Sequence, residues 1–259
     1  MSENNNIHGF DFRGDAGYND LSFGEKLKKV WDDDFPLFLR CFTLISLVLF
    51  IISFIKIFLG FIMALANIPL FTIQHFYLWS IFTSSFVNLS ILNFIFGFLA
   101  FIPDAIVLER SNGTLKYMFT FFFHSFLIQI LFIVLAYVIS IVFSQITTIP
   151  SAGIWPMIIA QLTLKCLTNP DSKGNLFFIP IPIPAMFLPW ALFLLFTVLN
   201  GFSVFQTDIL AAILYGYLYF YLLMERLDKL VVSNEFLIKC ENSICKPFTS
   251  FSGKYLSIY

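Results

Sequence analysis

Charge is scarce in this chain. Asp, Glu, Lys and Arg make up 12% of 259 residues, while 59% are hydrophobic and 19% aromatic. Fifteen Lys and Arg against sixteen Asp and Glu leave a net charge of −1, so nothing points to nucleic acid or another polyanion as a partner. Histidine is scarcer still: His8, His75 and His124, with none beyond residue 124. That leaves no helical His pair with an acid for metal hydrolysis, and no base for a serine in the second half. No glycine-rich phosphate loop is present. Cys240 and Cys245 are too few for a metal site and have no His nearby, so no metal or cofactor is expected. The polar first forty residues carry Asp11, Asp15, Asp20 and Asp32 to Asp34, so they read neither as a secretory signal nor as a mitochondrial presequence.

What remains is long apolar runs, at about 41–66, 88–108, 117–144, 151–168, 185–203 and 207–224. A helix needs about 20 apolar residues to cross a hydrocarbon core of about 30 Å. The cations sort between the gaps. Arg13, Lys26, Lys28, Lys29 and Arg40 precede the first run; Arg110 and Lys116 lie in the second gap; Lys173 lies in the gap near 169–184, with Lys165 at the end of the run before it; five more lie in the tail. The gaps at 67–87, 145–150 and 204–206 have none. Cations mark the side that is not translocated. The expectation is an all-α, six-span integral membrane protein with both termini on the cytosolic or matrix side. Residues 1–39 form a polar arm, 40–225 the membrane domain and 226–259 a polar, aromatic tail. All four cysteines then face a reducing compartment, which disfavours disulfides. The abundance of Phe, at 36 residues, is read as lipid-facing composition rather than function.

Residues 21–39 are read as a short interfacial helix or a solvated lead-in to the first span. The gap at 67–87, with Phe71, Phe76, Tyr77, Trp79 and Phe82, is expected in the outer interface. The Ile-Pro alternation at 179–184 predicts an extended connector, and Pro189 belongs in the first turn of the fifth span. No internal repeat is visible, which argues against inverted-repeat transporters. Four ionisable groups come within reach of the bilayer: Lys56, Asp104, Glu109 and Asp208. Lys56 and Asp208 are expected on the outer side, either approaching each other or each reaching water; Asp104, Glu109 and Arg110 are expected to cap the inner end of the second span. Ala212 and Gly216 form a small-x3-small face suited to close helix approach.

The order of landmarks resembles the rhomboid superfamily. Trp79-Ser80 and Thr83-Ser84-Ser85-Phe86 stand where that family has Trp-Arg and Thr-x-x-Phe. Glu109 and Gly113 form its E-x3-G. Its H-x4-H-x3-N falls on Asn88, Asn93 and Gly97, so both His and the Asn are replaced. Its nucleophile motif G-x-S-G is approximated by Ser151-Ala152-Gly153. Its H-x2-G-x3-G places Ala212 and Gly216 on the glycines and Ile209, next to Asp208, on the base. Asn169-Pro170, Leu188-Pro189-Trp190 and the stretch 208–220 are similar to the Derlin branch of inactive rhomboids, as is the opening Phe35-Pro36 with Arg40. Ser80 and Ala212 depart from that branch.

The resemblance implies a six-span pseudoprotease with no catalytic residues. It would bind membrane or unfolded clients, or thin the bilayer, in membrane-protein quality control at the endoplasmic reticulum. A ubiquitin ligase and a cytosolic AAA unfoldase are the implied partners, and lipids surround it. The alternative is a structural accessory subunit of a large membrane complex, including one of the mitochondrial inner membrane. There the tail aromatics Phe236, Phe248, Phe251, Tyr255 and Tyr259 would dock on a partner.

Overall fold

The computed structural model of the chain describes residues 35–170, 173–176, 179–199 and 206–223. The arm through residue 34, including most of the expected interfacial helix, and the tail beyond 223 lie outside them. In order, the elements are α1 (Leu37–Ser53), α2 (Leu59–Leu65), α3 (Pro69–Gln74), α4 (Ser80–Thr83), α5 (Ile91–Asn112), α6 (Thr114–Ser140) and α7 (Trp155–Thr168). Then come β1 (Lys173–Leu176), β2 (Ile179–Pro184), α8 (Leu188–Leu199) and α9 (Thr207–Leu218), which a π-helical turn extends over Tyr219–Leu223.

Among the described residues, α5 and α6 are long and apolar enough to cross a membrane. At 1.5 Å per residue they reach about 33 and 40 Å. The segment read as one span over 41–66 is broken: Leu37–Ser53 and Lys56–Leu65 meet at 109°. Neither Pro nor Gly lies at the break. Ile55 turns extended, and Lys56, exposed just past it, leaves the axis of α1. A continuous helix would hold that ammonium inside the apolar run, at roughly 2.5–3.5 kcal/mol near a bilayer centre. Two shorter apolar stretches follow, Ala185–Val198 and Thr207–Leu222.

The connector over 179–184 is extended, as its prolines require, and pairs antiparallel with β1. The register runs Lys173↔Pro184, Gly174↔Ile183 and Asn175↔Pro182, then shifts to Leu176↔Ile179. Pro at alternate positions leaves donors only on the isoleucines of β2, which suits a two-stranded ribbon. This hairpin is the one non-helical unit among the described elements.

Aromatic rings fill the core. Phe42 lies between Phe86, Phe98, Phe101 and Phe121, with centroids 4.7–5.9 Å apart. The opposite faces are equally apolar: Leu44, Val48 and Ile51 on α1 and Leu92, Ile95 and Leu99 on α5 are exposed. Helices hydrophobic all round belong in lipid.

Helix α9 packs against α6 and α7. A methyl group on Gly216 would lie 2.7 Å from Cβ and Cγ2 of Thr163, so only glycine admits this approach. Ala212, fully buried one turn away, continues the small face.

Glu109 does not cap its own helix. It is 1% exposed, and its two carboxylate oxygens accept the backbone N–H groups of Phe38 (2.8 Å) and Leu39 (3.0 Å). These are orphan donors of the first turn of α1, where Pro36 offers no side-chain cap. A negative charge there also meets the positive end of the helix dipole. Four residues on, Gly113 takes φ +83° and turns the chain into α6. Asp104 is not a cap either: it forms an ion pair with Lys165 of α7 at 2.6 Å.

Candidate functional site

At the other end of the bundle, around Ser151, the chain from 67 to 88 is inside out. Asn67, Thr72, Ser80, Ser84, Ser85 and Asn88 are buried, whereas Phe71, Phe76, Trp79 and Phe82 are exposed. In lipid every backbone and polar group must be satisfied internally, so a segment of short, broken helices turns its polar side chains inward. The rings outside match a bilayer or its interface. Two side chains fasten this segment to α2. Trp79 Nε1 donates to Ala64 O (3.0 Å), and Thr83 Oγ1 donates to Leu65 O (2.8 Å). Both acceptors are last-turn carbonyls without helical partners.

Under this segment a neutral network surrounds Ser151. Asn67 N donates to Ser151 O (3.0 Å), and Ser151 N donates to Asn67 O (2.8 Å), a one-residue antiparallel bridge. Asn67 Nδ2 donates to Gln129 Oε1 (2.7 Å), and Gln129 Nε2 donates to Ser151 Oγ (3.2 Å). Thr72 Oγ1 donates to Asn67 Oδ1 (2.8 Å) and lies 3.1 Å from Ser80 Oγ. Ser85 and Ser125 share a hydroxyl bond of 2.7 Å. Ser151, with no exposed surface, thus receives an amide N–H rather than facing a base. A nucleophile needs an acceptor for its proton within hydrogen-bond reach.

The other motif positions gather nearby. Gly153 has φ +98°, and its N–H donates to Ser84 O (2.9 Å). A methyl group there would stand 2.9 Å from Oδ1 of Asn88, whose amide is buried with neither polar atom hydrogen-bonded in the structure. Asn93 contributes its carbonyl, which accepts from Trp155 Nε1 (3.2 Å). Gly97 faces Ile154 and Trp155, with a methyl group reaching Ile154 Cγ2 at 3.1 Å. Ile154 and the first residue of α7 therefore occupy the space beside Asn93 and Gly97. Phe86 packs into the aromatic core.

Along α9, Ile209 is buried and apolar. Asp208 accepts from its neighbour's N–H at the helix start (2.9 Å) and makes no ion pair with Lys56. Because Gly216 meets Thr163, Asp208 lies two turns toward the Ser151 end, and Asp104, level with Lys165, lies the other way. Pro189 is buried in the first turn of α8, and Trp190 Nε1 donates to Tyr217 Oη (3.2 Å).

Reading the sequence missed Asn67, Thr72 and Gln129, and also the pair of half-buried His124 and buried Tyr215, whose ring nitrogen and hydroxyl are hydrogen-bonded. The available signal was a carboxamide isolated in an apolar run, as with Gln129 in α6. Among the described residues no three His, Cys, Asp or Glu side chains gather as a metal site would need.

A family model, the Rhomboid domain, matches residues 75–226, more than half of the chain. Neither a curated protein nor a solved structure matches it. The matched span opens in the inside-out segment, takes in the turn at Gly113 and the bridge at Ser151, and runs past α9, so the chain is a membrane protein that belongs to the rhomboid family.

Proposed function

We propose that this rhomboid-family chain is non-catalytic and binds other membrane proteins. The observation that carries the reading is the surroundings of Ser151. Its hydroxyl receives Gln129, its backbone is bridged to Asn67, and Ile209 stands where the family base would be. His124 is engaged by Tyr215 and stacks edge-on against Tyr219. A hydrolase of this kind needs nucleophile, base and oxyanion donors convergent on one point. An unreactive Ser151 toward a fluorophosphonate probe is the expected result. Labelling that disappears in Ser151→Ala would sink the non-catalytic reading.

Six spans with both termini on the cytosolic or matrix side remain the arrangement that fits the charge sorting. In it α1, α5, α6, α7, α8 and α9 alternate in direction. The short α7, at about 21 Å, falls below the roughly 30 Å of a bilayer core and would draw lipid inward around it. A Derlin-like part in quality control at the endoplasmic reticulum follows from the similarity of the second half. Purification from native membranes in mild detergent tests it. Recovery with a ubiquitin ligase and an AAA unfoldase supports that part. A fixed set of subunits from one large assembly would make the chain a structural component instead.

A further inference from the structure

Not every buried polar group near Ser151 belongs to its network. Ser84 Oγ and both polar atoms of the Asn88 amide are buried without a protein partner, and so is Ser46 Oγ of α1. Ser46 and Ser84 have no exposed surface, and Asn88 is 1% exposed. The three residues come together. The N–H of Gly153 donates to Ser84 O at 2.9 Å, and a methyl group on Gly153 would touch Asn88 Oδ1, so Ser84 and Asn88 meet at one glycine. Helix α1 packs on residues 84–86. Ser46 follows Phe42 by one turn, and the Phe42 ring lies 4.7 Å from that of Phe86. Ser46 also precedes Leu49 by about one turn, and Leu49 packs on the cluster of Ile62, Ala66 and Val87. Ser46 therefore lies on the face of α1 turned toward residues 84–88.

Buried polar side chains in folded proteins are paired with protein or with ordered water. A helical serine has the carbonyl four residues back within reach, yet Ser46 does not use that of Phe42. We propose that Ser46, Ser84 and Asn88 form a binding site for internal water, held between α1 and the entry to α5. Water is the ligand that this set selects. Two hydroxyls and a carboxamide offer donors and acceptors but no charge, so an ion finds no counterion among them. The carboxamide oxygen accepts from a water O–H, its N–H groups donate to a water oxygen, and each hydroxyl does either. A buried water makes about three such bonds. None of the three residues opens to the surface, which excludes a larger polar ligand. Water in this place ties the middle of α1 to the segment at 84–88, as Glu109 ties its start. The site stands apart from the Ser151 network, whose amides and hydroxyls bond one another, and it holds whether or not the chain binds clients.

A crystal structure of the full chain, grown from a lipid phase and sharp enough to show ordered water, tests this directly. Density for water within hydrogen-bond reach of the Asn88 amide and of a serine hydroxyl is expected. An Asn88 amide bonded to protein alone, or no density beside it, overturns the proposal. X-ray radiolytic labelling of the full chain in phosphatidylcholine nanodiscs gives a second reading, because radicals formed from a bound water oxidise the side chains around it. Val87 is 1% exposed and Ile159 not at all, yet Val87 should be oxidised and Ile159 spared. The label at Val87 should be lost in Asn88→Leu/Ser84→Ala/Ser46→Ala, which removes the polar atoms together and leaves none of them orphaned. Label that persists in this variant has another source and overturns the site, as does a Val87 no more reactive than Ile159. Should the variant fail to fold, the contrast between Val87 and Ile159 in the unsubstituted chain decides.

Discussion

The two ends of this bundle solve the same problem with different chemistry. Each must satisfy backbone and side-chain polar groups away from water. At the Gly113 end one ionised side chain, Glu109, closes the first turn of α1 across about seventy residues of sequence. At the Ser151 end the work is divided among neutral amides and hydroxyls: Asn67, Thr72, Ser80, Gln129 and Ser151. A charged acceptor gives strong bonds but leaves two buried donors orphaned if it is lost. A neutral network gives weaker bonds, yet an apolar replacement of both partners leaves little behind. The Gly113 end should therefore be brittle and the Ser151 end tolerant.

The largest effect is expected at Glu109. Glu109→Ala leaves the N–H groups of Phe38 and Leu39 buried and unpaired, at about 3–5 kcal/mol for two bonds to a charged acceptor. Glu109→Gln keeps one acceptor and should lose about half of that. Thermal unfolding in mild detergent reads both. An unchanged midpoint in Glu109→Ala would remove the contrast between the two ends.

Next comes the close approach of α7 and α9, which lies between the ends and serves as a packing reference. Gly216→Leu forces Thr163 aside and should cost about 1–3 kcal/mol, by overpacking alone. Gly216→Ala meets the same atoms with less bulk and should lie at the lower limit. Equal stability of both variants and the parent would mean that α9 stands farther from α7 than 2.7 Å of methyl clearance requires.

The Ser151 end supplies the test of tolerance. Asn67→Leu alone strips partners from Gln129 and Thr72 and should cost about 1–3 kcal/mol. Adding Gln129→Leu should recover part of the loss, because contacting residues are not additive. Recovery in the double variant, with none available to any partner substitution at Glu109, sharpens the comparison. Strictly additive losses would show that the network is held by something other than its mutual bonds.

How much of this was legible in the sequence differs between the ends for the same reason. The turn between α5 and α6 was visible, because Glu109 and Gly113 mark it and runs at 88–108 and 117–144 flank it. The role of Glu109 was not, since its acceptors serve residues about seventy positions away and no local pattern encodes that. The break after Ser53 was hidden too. Apolar composition continues through it, and neither Pro nor Gly marks it; only Lys56 hinted that the run could not be one straight span. In lipid both faces of a helix are apolar, so periodicity no longer tells inside from outside. That Ile154 and Trp155 would pack beside Asn93 and Gly97 was not readable either.

The smallest expected effect concerns how the inside-out segment is fastened. Trp79 and Thr83 both satisfy last-turn carbonyls of α2, but their exposures differ: Trp79 is half exposed, and Thr83 also bonds Trp79 O at 3.1 Å. Trp79→Phe keeps the ring and removes one donor. Trp79 is half exposed, so a solvent donor can replace the indole at the Ala64 carbonyl, and the loss should stay near 0.5–1 kcal/mol. Thr83→Val removes the donor to Leu65 O with less solvent at hand and should cost somewhat more. Amide hydrogen exchange over residues 59–66, compared in the two variants, separates them. Greater loosening from Trp79→Phe than from Thr83→Val would mean that Trp79, despite its exposure, is the main anchor of this segment.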